Sequence, residues 1–280
     1  MLIKQKIAFI GAGSMAEALI SGMIKSKRIP PSQILVTNRQ DGKRLVELVE
    51  QYGVKGIRSE ELNLELVDII ILAMKPKDIE GALESLKNQL HPHQLVFSVV
   101  AGIPTKTIED KLLEGQQVVR IMPNTSAMIG ESATAFVPGK HTSGISVLLA
   151  EELLACLGTV YQLDEGEMDI FTGIAGSGPA YIYYLMEHIE RAGIEAGLDS
   201  NTARKIGAQT ILGAAKMMIQ QSETPAELRE KVTSPNGTTA AGLEALKIHG
   251  GGKAIFQAIK GAAQRSKELS WQIQEMISEK

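Results

Sequence analysis

Along the first 160 residues, short apolar runs alternate with amphipathic stretches. Ile7-Ala8-Phe9-Ile10, Ile34-Leu35-Val36-Thr37, Val67–Leu72, Leu95–Val100 and Val118–Met122 are nearly unbroken in hydrophobic and β-branched residues. Continuous runs of this length suit strands buried on both faces of a parallel sheet, whereas a half-exposed strand would alternate. Between them, Ser14–Lys25, Gly42–Tyr52 and Ile79–Leu90 carry their apolar residues at helical spacing. A last pair of strand-like runs, Ala133–Val137 and Thr159–Gln162, brackets a helical stretch near Ser143–Cys156. The alternation predicts an α/β fold, a doubly wound parallel sheet with helices on both faces.

After Asp164 the texture changes. No further strand is expected, and Pro179–Ala196, Thr202–Gln221, Pro225–Val232, Thr238–His249 and Lys253–Ile277 read as successive helices. Pro179 and Pro225 stand where first-turn prolines belong, and Gly197 and Gly250 where helices stop. The acidic stretch Asp164-Glu165-Gly166-Glu167 therefore marks the expected boundary, with one domain over 1–163 and an all-α domain over 164–280. Within the second, Ile206–Ile219 is small or apolar on nearly every side. A helix of that kind must be surrounded. A short helical domain has few spare elements to enclose one, so a second copy of the chain is expected to help.

Composition narrows the class. The chain has 280 residues, 44% apolar and 22% charged, with 29 Lys plus Arg against 32 Asp plus Glu, a formal net charge of −3. That balance does not favour nucleic acid or an anionic membrane as the main partner. No apolar run reaches the roughly 20 residues needed to cross a bilayer. Lys4 and Lys6 break the start of the chain in a way unlike a signal peptide. The single cysteine, Cys156, excludes an intrachain disulfide and fits a reducing, cytoplasmic setting. The five histidines lack metal-ligand spacing, so no metal is expected.

Gly11-Ala12-Gly13-Ser14-Met15-Ala16 closes the first strand and opens the first helix. This G-x-G-x-x-A pattern could serve a tight turn alone. At the end of the first strand of an alternating chain it reads instead as the dinucleotide fingerprint of a Rossmann-type domain. Gly11 permits the turn, Gly13 lets a pyrophosphate approach the backbone, and the open amides of the helix start face the anion. The second strand ends in Thr37-Asn38-Arg39, without the acidic residue that would hold the ribose hydroxyl of NAD. Arg39 can clamp a 2′-phosphate and Asn38 can donate to it, so NADPH is the expected cofactor, with NADH used less efficiently. Ala73-Met74-Lys75-Pro76 and the Ala101 turn follow two further strands and should line the same crevice. Position alone leaves Lys75 open between cofactor contact and ordinary loop cation.

Lys231-Val-Thr-Ser234-Pro235-Asn236-Gly237-Thr238-Thr239 precedes a helical run. Capping needs one hydroxyl; three with a glycine exceed that need and suggest a site for a small carboxylate. At these residues the chain resembles the pyrroline-5-carboxylate reductases along its whole length. The shared blocks are Gly11–Met15, Ala73–Pro76, Ala101-Gly102, Arg120-Ile-Met-Pro-Asn-Thr125, Gly176-Ser-Gly-Pro-Ala-Tyr181 and Ser234–Thr239. The resemblance implies NAD(P)H-dependent reduction of 1-pyrroline-5-carboxylate to L-proline, an N-terminal Rossmann-type domain, and a helical domain that forms a homodimer, in some members a ring of dimers. Carried over by position, it places the substrate carboxylate against Ser234, Gly237, Thr238 and Thr239. It also puts the Thr239 hydroxyl at the imine nitrogen and Glu165 near the substrate ring. Asn236 stands where the family usually has glycine; asparagine tolerates positive φ, so the loop should survive. Glu60 replaces a cofactor-touching asparagine of many members, and that contact is not carried over.

Two other readings are open at this stage. A 3-hydroxyacid dehydrogenase would need a Lys and an Asn after its glycine pattern. Laid on Gly173, Gly176 and Gly178, that pattern puts Ile182 and Met186 at those positions, and neither can act as a base. A non-catalytic NADPH-binding regulator would share the scaffold, but it has no use for a carboxylate loop.

Overall fold

The computed structural model describes residues 4–39 and 41–278. The chain runs β1 (Ile7–Ile10), α1 (Ser14–Lys25), β2 (Ile34–Thr37), α2 (Gly42–Tyr52), β3 (Lys55–Ile57), β4 (Ile69–Leu72) and α3 (Ile79–Leu86). Then follow β5 (Leu95–Ser98), α4 (Thr105–Glu109), β6 (Gln117–Met122), β7 (Ser132–Pro138), α5 (Gly144–Leu154) and β8 (Gly158–Gln162). Helices α6 (Met168–Phe171), α7 (Gly178–Glu195), α8 (Ser200–Gln220), α9 (Pro225–Lys231), α10 (Thr238–Ile248) and α11 (Gly251–Ser278) complete it. The eight strands form one sheet in the order β3-β2-β1-β4-β5-β6-β7-β8.

Strands β1 to β6 are parallel, as the unbroken apolar runs require. The expected doubly wound parallel sheet is present, with one reversal at its far side: β7 runs antiparallel to β6, and β8 parallel to β7. The cause is the connection. A parallel neighbour needs a crossover of about a dozen residues or more. The β6–β7 link, residues 123–131, holds only the 3-10 turn Thr125–Ile129 and turns the chain back. Helix α5 then provides a true crossover from β7 to β8. Two short elements carry no apolar signal and were not expected: β3, an exposed edge strand paired to β2 through Leu35 and Lys55, and α4.

The sheet separates two cores. Ile7, Phe9, Ile69, Ile71 and Phe97 pack on one face with Ala16, Leu19, Ile20 and Met23 of α1. Ala8, Ile70, Leu72 and Val96 pack on the other with Leu83, Ile103 and Ile108. β4 is buried on both faces and β1 is too except at Ile10, so these strands show no alternation.

The chain divides into two compact units, residues 1–177 with 261–280, and residues 178–260. The last strand ends at Gln162, where the texture of the sequence changes, but the segment 163–177 stays with the sheet. Within the first unit the end of α11 packs back as well. Ser266 donates to Asp169 Oδ1 at 2.7 Å, and the Gly102 turn lies against Ser270 and Ile273.

In the unit 178–260 only Ala203 and Gly207 are buried. Helices α7 and α8 approach closely through small residues, Gly193 opposite Ala203 and Gly207 opposite Met186 and Ile189. Outside that crossing, Tyr183, Tyr184, Leu185, Ile206, Leu212, Met217, Met218, Leu246 and Ile248 are exposed, and Ile219 is 82% exposed. A helical unit with two buried residues does not have a core of its own. No helix among the described residues is long and apolar enough to cross a membrane.

Candidate functional site

The sheet register brings the expected cofactor residues to one edge. Ile10 pairs with Thr37 on one side and with Leu72 on the other, and Leu72 pairs with Ser98. The turns that follow these four residues therefore leave the sheet side by side: Gly11–Met15, Asn38-Arg39, Ala73–Pro76 and Val99–Gly102. This is the carboxyl edge, where open α/β sheets bind ligands. Gly11 is held at φ 113°, donates to the Thr37 carbonyl at 3.1 Å, and lies so close to Ala73 that a Cβ would sit 2.5 Å from its oxygen. No other residue type fits there. At Gly13 the reverse holds: φ is an ordinary −74° and a Cβ would meet nothing within 4 Å. Gly13 thus borders open space at the N-cap of α1, where no side chain caps the first amides. An anion-sized cradle at a helix start is the chemistry a pyrophosphate requires. Arg39 and Lys75 are exposed beside it, Asn38 and Met74 half-buried, and Ala101 exposed.

In the helical unit, the loop before α10 has the form expected from its composition. The Gly237 amide donates to the Ser234 carbonyl at 3.1 Å, and Asn236 adopts φ 60°, the left-handed conformation asparagine tolerates. A Cβ on Gly237 would lie 2.3 Å from the Ser234 hydroxyl, so any other residue there would displace that hydroxyl. Gly237 is the N-cap of α10 without a side-chain cap, and Ser234, Thr238 and Thr239 are exposed around it. Several hydroxyls and uncapped amides thus surround one helix start.

Glu165 is placed differently from a free site carboxylate. Its Oε2 accepts from Arg120 Nη1 at 2.6 Å; its Oε1 accepts from the Thr105 amide at 2.7 Å and from the Thr105 hydroxyl at 3.2 Å. The Arg120 side chain is 4% exposed and that of Glu165 33%. Arg120 Nε and Nη2 are buried without a partner among the described residues, so Glu165 is the anion that makes this cation tolerable. Four residues further on, Asn124 donates through Nδ2 to the Ala175 carbonyl at 3.0 Å. Ala175 lies in a π-helical turn, Thr172–Gly176, closed by a bond from the Ser177 amide to the Thr172 carbonyl at 2.8 Å. The Arg120–Thr125 block thus uses two polar side chains to fix segment 165–176. Sequence reasoning noted the block without a task for it, because the partners are 45 and 51 residues away.

Comparison with known proteins agrees with this arrangement. Residues 165–269 match the family described as pyrroline-5-carboxylate reductase dimerisation, and residues 6–102 match NADP oxidoreductase, coenzyme F420-dependent. Pyrroline-5-carboxylate reductase 1 of Bacillus subtilis is 60% identical over 271 residues, covering 97% of this chain and 91% of that protein. The pyrroline-5-carboxylate reductase of Pseudomonas aeruginosa is 36% identical over 96% of this chain and 98% of its own length. Among solved structures, the Plasmodium falciparum pyrroline carboxylate reductase with NADP bound superposes with a TM-score of 0.86 at 26% identity, over 96% of this chain and 99% of that one. The Streptococcus pyogenes 1-pyrroline-5-carboxylate reductase does so with a TM-score of 0.83 at 31% identity, over 94% and 98%. A two-part chain with a dinucleotide edge, a hydroxyl-rich helix start and relatives matching it nearly end to end belongs to the pyrroline-5-carboxylate reductase family.

Proposed function

We propose that this chain reduces 1-pyrroline-5-carboxylate to L-proline with NADPH. The observation that carries the reading is the uncapped start of α10, where Ser234, Gly237, Thr238 and Thr239 offer hydroxyls and amides to one small carboxylate. Bound at the sheet edge, a nicotinamide supplies the hydride that the imine carbon accepts. The chain's own work is orientation. The amides of Thr238 and Thr239 and the Ser234 hydroxyl hold the carboxylate, and the Thr239 hydroxyl hydrogen-bonds the imine nitrogen. A cyclic imine is basic and accepts hydride readily once its nitrogen is protonated, which the Thr239 hydroxyl supports as a hydrogen-bond donor, so no Lys–His or Asp–His pair is needed. Glu165, whose carboxylate also accepts from Arg120 and Thr105, belongs to the proposed substrate-binding set, near the substrate ring.

The cofactor set is Gly11, Ala12, Gly13, Ser14, Met15, Asn38, Arg39, Ala73, Met74, Lys75, Pro76 and Ala101. Arg39 supplies the preference for NADPH. Losing one charge-assisted contact costs about 1.5–3 kcal/mol, so Arg39→Ala weakens NADPH binding about ten- to a hundredfold and leaves NADH nearly unchanged. Fluorescence titration with both cofactors checks this; an equal loss for both contradicts it.

The helical unit supports a homodimer through the apolar faces of α7, α8 and α10, in line with the dimerisation family it matches. Light scattering at micromolar concentration should give twice the chain mass, or an even multiple if dimers form a ring; a monomer contradicts the reading. The division of labour proposed is a cofactor domain over 1–163 and a substrate and dimerisation domain over 164–280. A cytoplasmic setting suits Cys156, which is 5% exposed and whose thiol burial holds above the usual pKa. The direct test of the activity is NADPH oxidation with 1-pyrroline-5-carboxylate and detection of proline. NADPH binding without turnover would make the chain a sensor and not an enzyme.

A further inference from the structure

The carbonyl of Ala12, inside the phosphate-binding loop, is not left to solvent: Arg44 Nε, from the first turn of α2, donates to it at 3.1 Å. Arg44 is itself fixed on every side. Its Nη2 pairs with Glu17 Oε2, its Nη1 donates to Glu47 Oε2 at 2.9 Å, and its amide donates to the N-cap Asp41 at 3.0 Å. Glu17 is held in turn by the Tyr52 hydroxyl at 3.0 Å. The guanidinium is 24% exposed and Glu17 18%, so the pair is partly shielded from water. These neighbours raise the Arg44 pKa, the hydrogen bonds it donates to Glu47 and Glu17 contributing most, and the charge is permanent.

A trans peptide points its carbonyl and its amide in opposite directions. The described residues contain no cis peptide, so fixing the Ala12 oxygen on Arg44 also fixes the Gly13 amide, which points away from Arg44. That amide begins the anion cradle at α1. Glu17, one turn into α1, donates its amide to the Gly13 carbonyl at 3.0 Å, so the same residue that orders Arg44 also fixes the far side of Gly13. Left alone, a Gly-Ala-Gly loop could rotate this peptide at low cost.

We propose that Arg44 is a positioning residue for cofactor binding, which sets the Ala12–Gly13 peptide so that the loop receives a pyrophosphate already ordered. The proposal rests on the reading that the cofactor's pyrophosphate lies on this loop. Because the pyrophosphate is common to both nicotinamide cofactors, Arg44 acts on NADPH and NADH alike. Arg39, which faces only the 2′-phosphate, does not.

The test measures KM and kcat for both cofactors in Arg44→Ala, Arg44→Lys and Gly13→Val, well below each variant's melting temperature. Arg44→Ala should raise KM about tenfold for NADPH and for NADH, the loss of one charge-assisted hydrogen bond. Its kcat at saturating cofactor should fall by much less. Arg44→Lys should recover part of the affinity, since an ammonium can reach the Ala12 carbonyl but cannot also hold both glutamates. A merely structural arginine would lower the melting temperature without this shared shift in KM. Unchanged KM values in Arg44→Ala, or a rise confined to NADPH, would overturn the proposal. Gly13→Val tests the underlying reading separately. The backbone there accepts a side chain and the space is open, so the protein should fold while cofactor affinity collapses. Normal affinity in that variant would remove the pyrophosphate from the loop, and the proposal with it; lost affinity there beside a normal Arg44→Ala would sink the proposal alone.

Discussion

Thr239→Ala should lower kcat/KM for 1-pyrroline-5-carboxylate about a hundredfold, the lower end of what a positioned proton donor contributes. The hydroxyl stands on the second residue of α10 and is exposed, and alanine favours a helix more than threonine does. The variant therefore keeps its fold, and NADPH affinity should not move. The loss should appear mainly in kcat, because the hydrogen bond to nitrogen strengthens as the imine carbon is reduced. Thr239→Ser, which keeps the hydroxyl, should recover most of the rate. Steady-state kinetics on the three proteins decides this, and a near-normal kcat/KM in the alanine variant refutes the role given to Thr239.

The second large effect is on stability. Glu165→Ala strands the buried guanidinium of Arg120, which already has two donors without partners. Removing one member of a buried pair costs about 3–5 kcal/mol, and the lower end applies here because Glu165 is one-third exposed and water can follow. Chemical denaturation should show the loss in full. The double variant Arg120→Met with Glu165→Leu, which removes both charges, should regain most of that stability, since apolar replacements for an ion pair are often neutral. Activity then separates two roles for Glu165. If it acts only by anchoring segment 165–176, the double variant recovers turnover along with stability. If it also touches the substrate, turnover stays low in a stable protein. A Glu165→Ala protein as stable as the parent would contradict the structural half of this account.

The sheet was legible because its strands are short, apolar and buried on both faces. α1 and α2 were legible from the helical spacing of their apolar residues; the structure adds that Gly13 precedes the first and that Gly53, in the left-handed conformation, ends the second. The reversal at β7 was not, since direction depends on the length and shape of one loop and not on the apolar content of the strand. β3 escaped because an edge strand of Lys55, Gly56 and Ile57 buries almost nothing. The cofactor loop and the Ser234–Thr239 loop were readable as local patterns, their residues lying within a few positions of one another. Arg44, Arg120 and Asn124 were not. Each is a polar residue in an unremarkable place whose meaning comes from a partner far along the chain, Ala12 for Arg44, Glu165 for Arg120 and Ala175 for Asn124. Sequence spacing does not encode such pairings, and only the folded sheet shows them. The apolar surface of Ile206–Ile219 is the intermediate case: its excess was visible, and the structure adds that its own unit covers it only around Gly207, leaving Ile206, Leu212, Met217, Met218 and Ile219 exposed.

The central claim is that one helix start receives the substrate's negative end. A crystal structure of the protein with NADP and L-proline bound tests it most directly. The account predicts the proline carboxylate at hydrogen-bond distance, about 2.7–3.2 Å, from the amides of Thr238 and Thr239 and the hydroxyl of Ser234, with the ring nitrogen at Thr239 Oγ1. Proline bound away from residues 234–239, or with its carboxylate facing solvent there, would contradict it.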